Sequence, residues 1–198
     1  MSELARRLWS LLRPGDTLWW GQATAEPLTL TRTLVRHRHQ RAGANRLRIF
    51  VGIATGDTLQ PEHADTFDFF GYSAGGAHRQ LAAAGVLDIL PNHYSHLPAL
   101  IGSGRVDCDV VLLQVSPPDA QGRHSMGQVR EYLPAAMAQA RTLIGEVHPD
   151  VPWTHGGPYL KAEDFALLID SAQPLADLEQ DSPGAVEQAI AQHVAGII

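Results

Sequence analysis

The run Val110–Val115, VVLLQV, is apolar at every position but Gln114 and is followed at once by Ser116-Pro117-Pro118. Side chains of a strand alternate between its two faces, so an almost unbroken apolar run reads as a strand covered on both sides, as in a parallel sheet. The two prolines remove two backbone donors and fix two φ angles. The strand therefore stops there, and the chain leaves the sheet.

The next segment is polar and punctuated by glycine. Asp119, Gln121, Arg123, His124 and Ser125, with Gly122 and Gly127, place hydrogen-bonding groups at the carboxyl end of a strand. Open α/β sheets bind ligands at such ends. The same loop also serves as a rigid turn that starts the next helix, and its residue types alone do not choose between the two.

A chain of 198 residues suits one domain, and at this length it buries roughly 70% of its unfolded surface. With 44% hydrophobic and 18% charged residues it has a globular composition, and no apolar run approaches the ~20 residues of a membrane span. Charges interrupt the N-terminal apolar residues, so a signal-peptide core is not expected and a cytoplasmic setting is. Cys108, the only cysteine, has no disulfide partner in the chain and at the start of a strand reads as a buried, inert thiol.

The net charge of −6 is unevenly spread. Residues 1–52 hold nine arginines against Glu3, Asp16 and Glu26. Arg32, Arg36, Arg38, Arg41, Arg46 and Arg48 lie close together with His37 and His39. Arginine forks match phosphate geometry, but nucleic-acid binders are usually basic across the domain, so a solvated helix face is the favoured reading and no nucleic-acid partner is expected.

From the N-terminus, Ser2–Leu12 reads as an amphipathic helix, Thr17–Trp20 as a strand ending at Gly21, and Glu26-Pro27 as the opening of a helix running to about Gln40. Gly43–Asn45 forms a turn into the strand Leu47–Gly52. After an irregular connection over 55–65 come the strand Thr66–Tyr72, the helix Ala77–Ala84 closed by Gly85, and the strand Val86–Leu90. Gly71-Tyr-Ser-Ala-Gly-Gly matches neither the phosphate loop nor the dinucleotide fingerprint. Beyond the central strand lie a helix at Pro134–Ala140, strands at Thr142–Val147 and Phe165–Asp170, and a last helix capped by Ser182-Pro183 with Val186, Ile190, Val194 and Ile197 on one face.

Two further polar loops follow strands. Pro91, Asn92, His93, Tyr94, Ser95 and His96 form one, and His148-Pro149 with 152–157 forms another, so three loops are expected to converge on one crevice. His93 and His96 lack a matching third metal ligand, and no metal site is assigned. Glu146, a carboxylate at a strand end, is either a nucleophile or base or a hydrogen-bonded structural group. Ser116 or Ser125 with His124 and Asp119 have the residue types of a thioesterase triad, but they crowd within one loop where triads assemble from separate elements.

The ordered segments LQPEHADTF, GYSAGGAHRQLAAAGVLDILPNHYSHLP, VDCDVVLLQVSPPDAQGRHSMG and ARTLIGEVHPDVP closely resemble the N-terminal half of the acetyl-CoA hydrolase/transferase family, which includes 4-hydroxybutyrate CoA-transferase-like enzymes. The most specific pieces are Pro91–Ser95, Ser116–Gly127, and Glu146-Val147 followed by Pro152.

That resemblance implies an open, mostly parallel α/β sheet with helices on both faces, over 1–198 as one N-terminal-type domain. It implies acyl-CoA and a small carboxylate as substrates, with coenzyme A carried rather than permanently bound, and a homo-oligomer. In the family a glutamate attacks the acyl-CoA thioester, giving an acyl-glutamyl anhydride and then a glutamyl-CoA thioester that passes CoA to a second carboxylate. Interception by water gives hydrolysis. The nucleophile belongs to the family's C-terminal half, so no catalytic residue is expected in this chain and a partner half is. Glu146 matches the glutamate before a family asparagine, and His148 stands in that asparagine's place, which changes any pocket contact the amide makes. Gly21, Glu26, Pro91, His93, Tyr94, Ser95, Ser116, Pro117, Pro118, Asp119, Gly122, Ser125, Gly127, Glu146 and His148 are the candidates for lining or shaping the pocket. The competing expectation is a non-catalytic acyl-CoA-binding or subunit-interaction module. A domain separated from its partner half is expected to expose an apolar patch and to self-associate.

Overall fold

A computed structural model of the chain describes residues 1–41, 46–177 and 182–197. In chain order the elements are α1 (Glu3–Leu11), β1 (Thr17–Trp20), α2 (Leu28–Arg36), β2 (Leu47–Phe50), β3 (Phe67–Gly71), α3 (Arg79–Ala83), β4 (Leu87–Ile89) and α4 (Leu97–Gly102). Then come β5 (Val110–Val115), β6 (Arg123–His124), α5 (Leu133–Gln139), β7 (Thr142–Val147), β8 (Leu160–Lys161), β9 (Leu167–Asp170) and α6 (Ala185–Ala195).

Seven strands form one sheet in the order β4-β3-β2-β1-β5-β7-β9, with every neighbouring pair parallel. All six residues of β5 are buried, as its apolar run requires. Strand residues alternate between two cores. Leu18, Ile49, Phe69, Val110, Leu112 and Ile144 face Leu8 of α1, Leu30 and Leu34 of α2 and Leu81 of α3. Trp19, Phe50, Phe70, Val111, Leu113 and Val115 face Leu97 and Ile101 of α4 and Leu133 and Ala136 of α5. Helices thus cover both faces of an open parallel sheet. The second core is aromatic: Trp19 stacks on Phe50 at 3.7 Å between ring centroids, and Tyr132 meets Trp19 edge-on at 5.4 Å.

From β1 the chain builds outward through β2, β3 and β4, then returns to lay β5 on the other flank of β1. The strand order reverses between β1 and β5, which places the topological switch point there. A small antiparallel ribbon, β6 with β8, folds over the carboxyl end of β5, pairing His124 with Leu160.

Several boundaries differ from the sequence expectation. Helix α2 ends at Arg36 rather than near Gln40, because His37 leaves helical backbone at φ −109°, ψ 21° and Arg38–Arg41 tightens into a 3-10 turn. Ser182 does not cap α6. Gly184 holds that position without a side-chain bond, because the helix starts at Ala185, beyond the reach of the Ser182 hydroxyl to its first N–H groups. The expected turn at Gly43–Asn45 lies outside the described residues. The short α4 and the two-residue strands β6 and β8 had no sequence signal. Within the arginine cluster, Arg38 binds Asp65, Arg46 binds Asp68 and Arg48 approaches Asp107. Cys108 is buried, and burial pushes its thiol up to about 12. No helix among the described residues is long and apolar enough to cross a membrane.

Candidate functional site

The loop after β1 occupies the switch point, and its geometry begins with Gly21. A side-chain carbon there would sit 2.7 Å from the Ala25 Cβ, so only glycine lets the chain fold back into the short turn Ala23–Ala25. Gln114, the one polar residue of β5, donates from Nε2 to the Thr24 carbonyl at 2.9 Å. The Thr24 hydroxyl in turn donates to Gln128 Oε1 at 3.2 Å. Gln114 therefore ties the β1 loop to the end of its neighbouring strand.

Gln22 is the hub of the crevice. Its Oε1 accepts from the Ile53 N–H at 2.8 Å and the Tyr72 hydroxyl at 2.9 Å, while its Nε2 donates to Glu131 Oε1 at 2.6 Å. The Tyr94 hydroxyl also faces the Glu131 carboxylate, and burial together with that negative charge raises the phenol above its ordinary range. The Tyr94 ring packs on Tyr72 at 5.2 Å. Loops from β1, β2, β3 and β4 thus meet the segment before α5. Ala23 and Glu131, beside or within this hub, have the positive φ values 52° and 42°, a conformation that non-glycine residues adopt only when held.

A narrow cleft with room for about one water molecule opens beside the hub, lined by Gly21, Gln22, Glu26, Gly52, Thr58 and His78 among others. Glu26 is buried and accepts from the Thr31 hydroxyl at 2.8 Å. Burial raises its pKa, the hydrogen bond from Thr31 holds it down, and the Glu146 charge adds to the rise. His78 bonds the Gly52 carbonyl through Nδ1 at 2.9 Å, and burial lowers its pKa. Both environments favour the neutral side chain.

Glu146 does not reach this cleft. Its carboxylate accepts the N–H groups of Thr29 at 3.2 Å and Leu30 at 3.1 Å, and the Ser171 hydroxyl at 2.6 Å. Those are first-turn donors of α2, whose N-cap is Pro27 and supplies no side-chain acceptor. Of the two readings of Glu146, the structural carboxylate fits this geometry. His148 is also turned away, donating from Nε2 to the Gln173 carbonyl and accepting the Asp150 N–H at Nδ1. These two partners fix the tautomer with the proton on Nε2.

The loop after β5 divides in two. Ser116 is fully buried, and its Oγ accepts the Ser125 N–H at 2.9 Å and donates to the Pro117 carbonyl. Asp119 accepts from the N–H groups of Gln121 and Arg123 and from the Arg123 guanidinium, closing a turn at Gly122, φ 70°. That guanidinium beside Asp119 holds its carboxyl below the usual range. His124 bonds the Ser116 carbonyl through Nδ1. Among the described residues neither the Ser116 nor the Ser125 hydroxyl bonds the His124 ring or the Asp119 carboxylate, so the triad candidates are not assembled. Ser125 and Gly127 instead line a second cavity of about 230 Å3, beside Arg130, Thr154, His155 and Tyr159. At the end of β4, His93 Nδ1 contacts Ser95 Oγ at 2.9 Å, and the exposed Pro91 touches neither cavity. The structure thus brings Gly21, Glu26, Tyr94, Ser125 and Gly127 to the strand ends and leaves Pro118, Asp119, Gly122, Glu146 and His148 in supporting positions. Sequence reasoning placed Gln22 only within the candidate loop Gly21–Glu26 and missed His78, Arg130 and Glu131. Only Gln22 carried a signal, its place directly after a strand-ending glycine.

Residues 3–167 match the acetyl-CoA hydrolase/transferase N-terminal domain. The chain is 28% identical over 179 residues to a 4-hydroxybutyrate coenzyme A transferase of Clostridium kluyveri, covering 90% of this chain and 42% of that protein. RipA from Yersinia pestis superposes with a TM-score of 0.86 at 20% identity, over all of this chain and 48% of that one. A 4-hydroxybutyrate CoA-transferase from Porphyromonas gingivalis superposes with a TM-score of 0.70 at 22% identity, over all of this chain and 45% of that one. The chain spans less than half the length of each. From its match over 3–167, the chain belongs to the acetyl-CoA hydrolase/transferase family through that family's N-terminal domain.

Proposed function

We propose that this chain forms one side of the active site of a cytoplasmic acyl-CoA:carboxylate CoA-transferase or acetyl-CoA hydrolase, and that the nucleophilic glutamate comes from a C-terminal half. In this reading 1–198 acts as one domain within a homo-oligomer, taking acyl-CoA and a small carboxylate. The observation that carries it is the convergence of strand-end loops on the β1/β5 switch point around Gln22, in a chain of this family. Gly21, Glu26, Tyr94, Ser125 and Gly127 position substrate and exclude water, while Ser116, Pro117, Pro118 and Glu146 hold the loops that carry them. The commitment of Glu146 to the start of α2 supports a nucleophile from elsewhere.

A second reading, a subunit-interaction module, is favoured by α6. Val186, Ile190 and Val194 lie at helical spacing on it and all are exposed.

Acetyl-CoA consumption, with and without acetate or succinate, separates these readings. The chain is assayed alone and mixed with a separately expressed C-terminal half of a relative. Activity in the mixture only is the expected result. Robust turnover by the chain alone, abolished by Glu146→Gln, overturns the proposal, and binding without turnover in the mixture favours the module.

A further inference from the structure

The cavity beside the β6–β8 ribbon stands out by its charge. The chain carries 21 acidic against 15 basic residues, yet among the described residues this cavity is lined by Arg130 and His155 and by no aspartate or glutamate. The nearby Arg123 is neutralised by its pairing with Asp119. Arg130 makes one bond, from Nη1 to the Gly156 carbonyl at 3.0 Å, and no ion pair among the described residues. Glu131, next in the chain, is turned to Gln22 instead.

The other lining groups divide into fixed walls and free donors. The Thr154 hydroxyl donates to the Gly127 carbonyl at 2.7 Å, and Ser125 Oγ accepts the N–H groups of Gly127 and Thr154. These bonds fix the wall. Gln128 spends its Oε1 on the Thr24 hydroxyl, which leaves its amide hydrogens to donate. Gly127, at φ 64°, lets the chain turn here where a side-chain carbon would collide with Val151.

We propose that this cavity binds an oxyanion, with Arg130 as its cation and Gln128 and His155 as further donors. A guanidinium fork fits a carboxylate or a phosphate. The proposed function, on which this inference rests, supplies both: the carboxylate co-substrate and the phosphates of coenzyme A.

The test is calorimetric titration of the purified chain at low ionic strength with succinate and, separately, with adenosine 3′,5′-bisphosphate. Wild type is compared with Arg130→Gln, Arg130→Lys and the exposed control Arg79→Gln, with thermal melts showing that each is folded. The expected result is binding of at least one anion, weakened about tenfold or more by Arg130→Gln, less by Arg130→Lys, and unchanged by Arg79→Gln. Succinate alone assigns the site to the co-substrate, the bisphosphate alone to coenzyme A, and both to a shared oxyanion site. Binding of neither, or equal effects of Arg130→Gln and Arg79→Gln, overturns the inference. An inactive mixture of halves with Arg130-dependent binding intact removes the transferase reading and leaves the anion site standing.

Discussion

Glu146 Oε1 accepts the Thr29 N–H at 3.2 Å, so a strand on one side of the switch point caps a helix that starts on the other. The same carboxylate takes the Leu30 N–H, and Ser171 at the end of β9 locks it in place. A helix that begins at Pro27 has no acceptor of its own, and a buried first turn without one leaves polar groups unsatisfied.

Glu146→Gln is expected to destabilise the chain by about 1–3 kcal/mol, because an amide offers one acceptor oxygen and turns an N–H₂ toward a backbone donor. Urea unfolding measures this. An unchanged midpoint would show that α2 is capped by water and not by Glu146.

Gln22→Ala removes the side chain that joins Ile53, Tyr72 and Glu131. In the mixture of halves it should lower kcat more than stability, while Tyr72→Phe, which loses one of those bonds, has a smaller effect. Steady-state kinetics beside thermal melts separate the two. Equal losses for both variants would contradict the hub.

Glu26 has a raised folded pKa, caused first by burial, so the folded chain binds its proton more tightly than the unfolded chain. The cost of ionising it is absent below the unfolded pKa and grows as pH rises through the folded value. Glu26→Gln keeps an acceptor for Thr31 and is expected to raise the melting temperature at pH 8 relative to wild type, with the difference fading toward pH 4. A difference independent of pH would show that folding leaves the pKa of Glu26 unchanged.

Cys108 should resist aromatic disulfide reagents in the native state and react fully in denaturant, since its thiol is pushed up to about 12 and its Sγ lies against the Ala136 carbonyl at 3.4 Å. Stoichiometric labelling of the folded chain within seconds would contradict this.

Long apolar strands were legible. Val110–Val115 and Thr142–Val147 have the bounds that their residue patterns predict, because burial on both faces leaves its mark on every position. The family resemblance, carried by the loops around them, supplied the sheet's openness. Short elements were not legible: α4 has six residues with a proline at its start, and β6 has two. Roles set by distant partners were hidden as well. Glu146 reads as a candidate acid until a helix 117 positions earlier claims it, and Glu131 is silent until Gln22, 109 positions earlier, donates to it. Local pattern carries no information about such pairings, which tertiary packing alone creates.

The place of β1 in the middle of the sheet fixes an order of events during synthesis. One edge of β1 is completed by β2, but the other waits for β5, and the Thr17 N–H finds its Asp109 acceptor 92 positions downstream. As the ribosome delivers the chain, β1 to β4 emerge and pair while the far edge of β1 still presents an open ladder of donors and acceptors. A nascent chain stalled before Val110 therefore displays a sticky strand, and a chaperone or the timely arrival of β5 decides whether that edge closes on its own sequence or on a neighbour's.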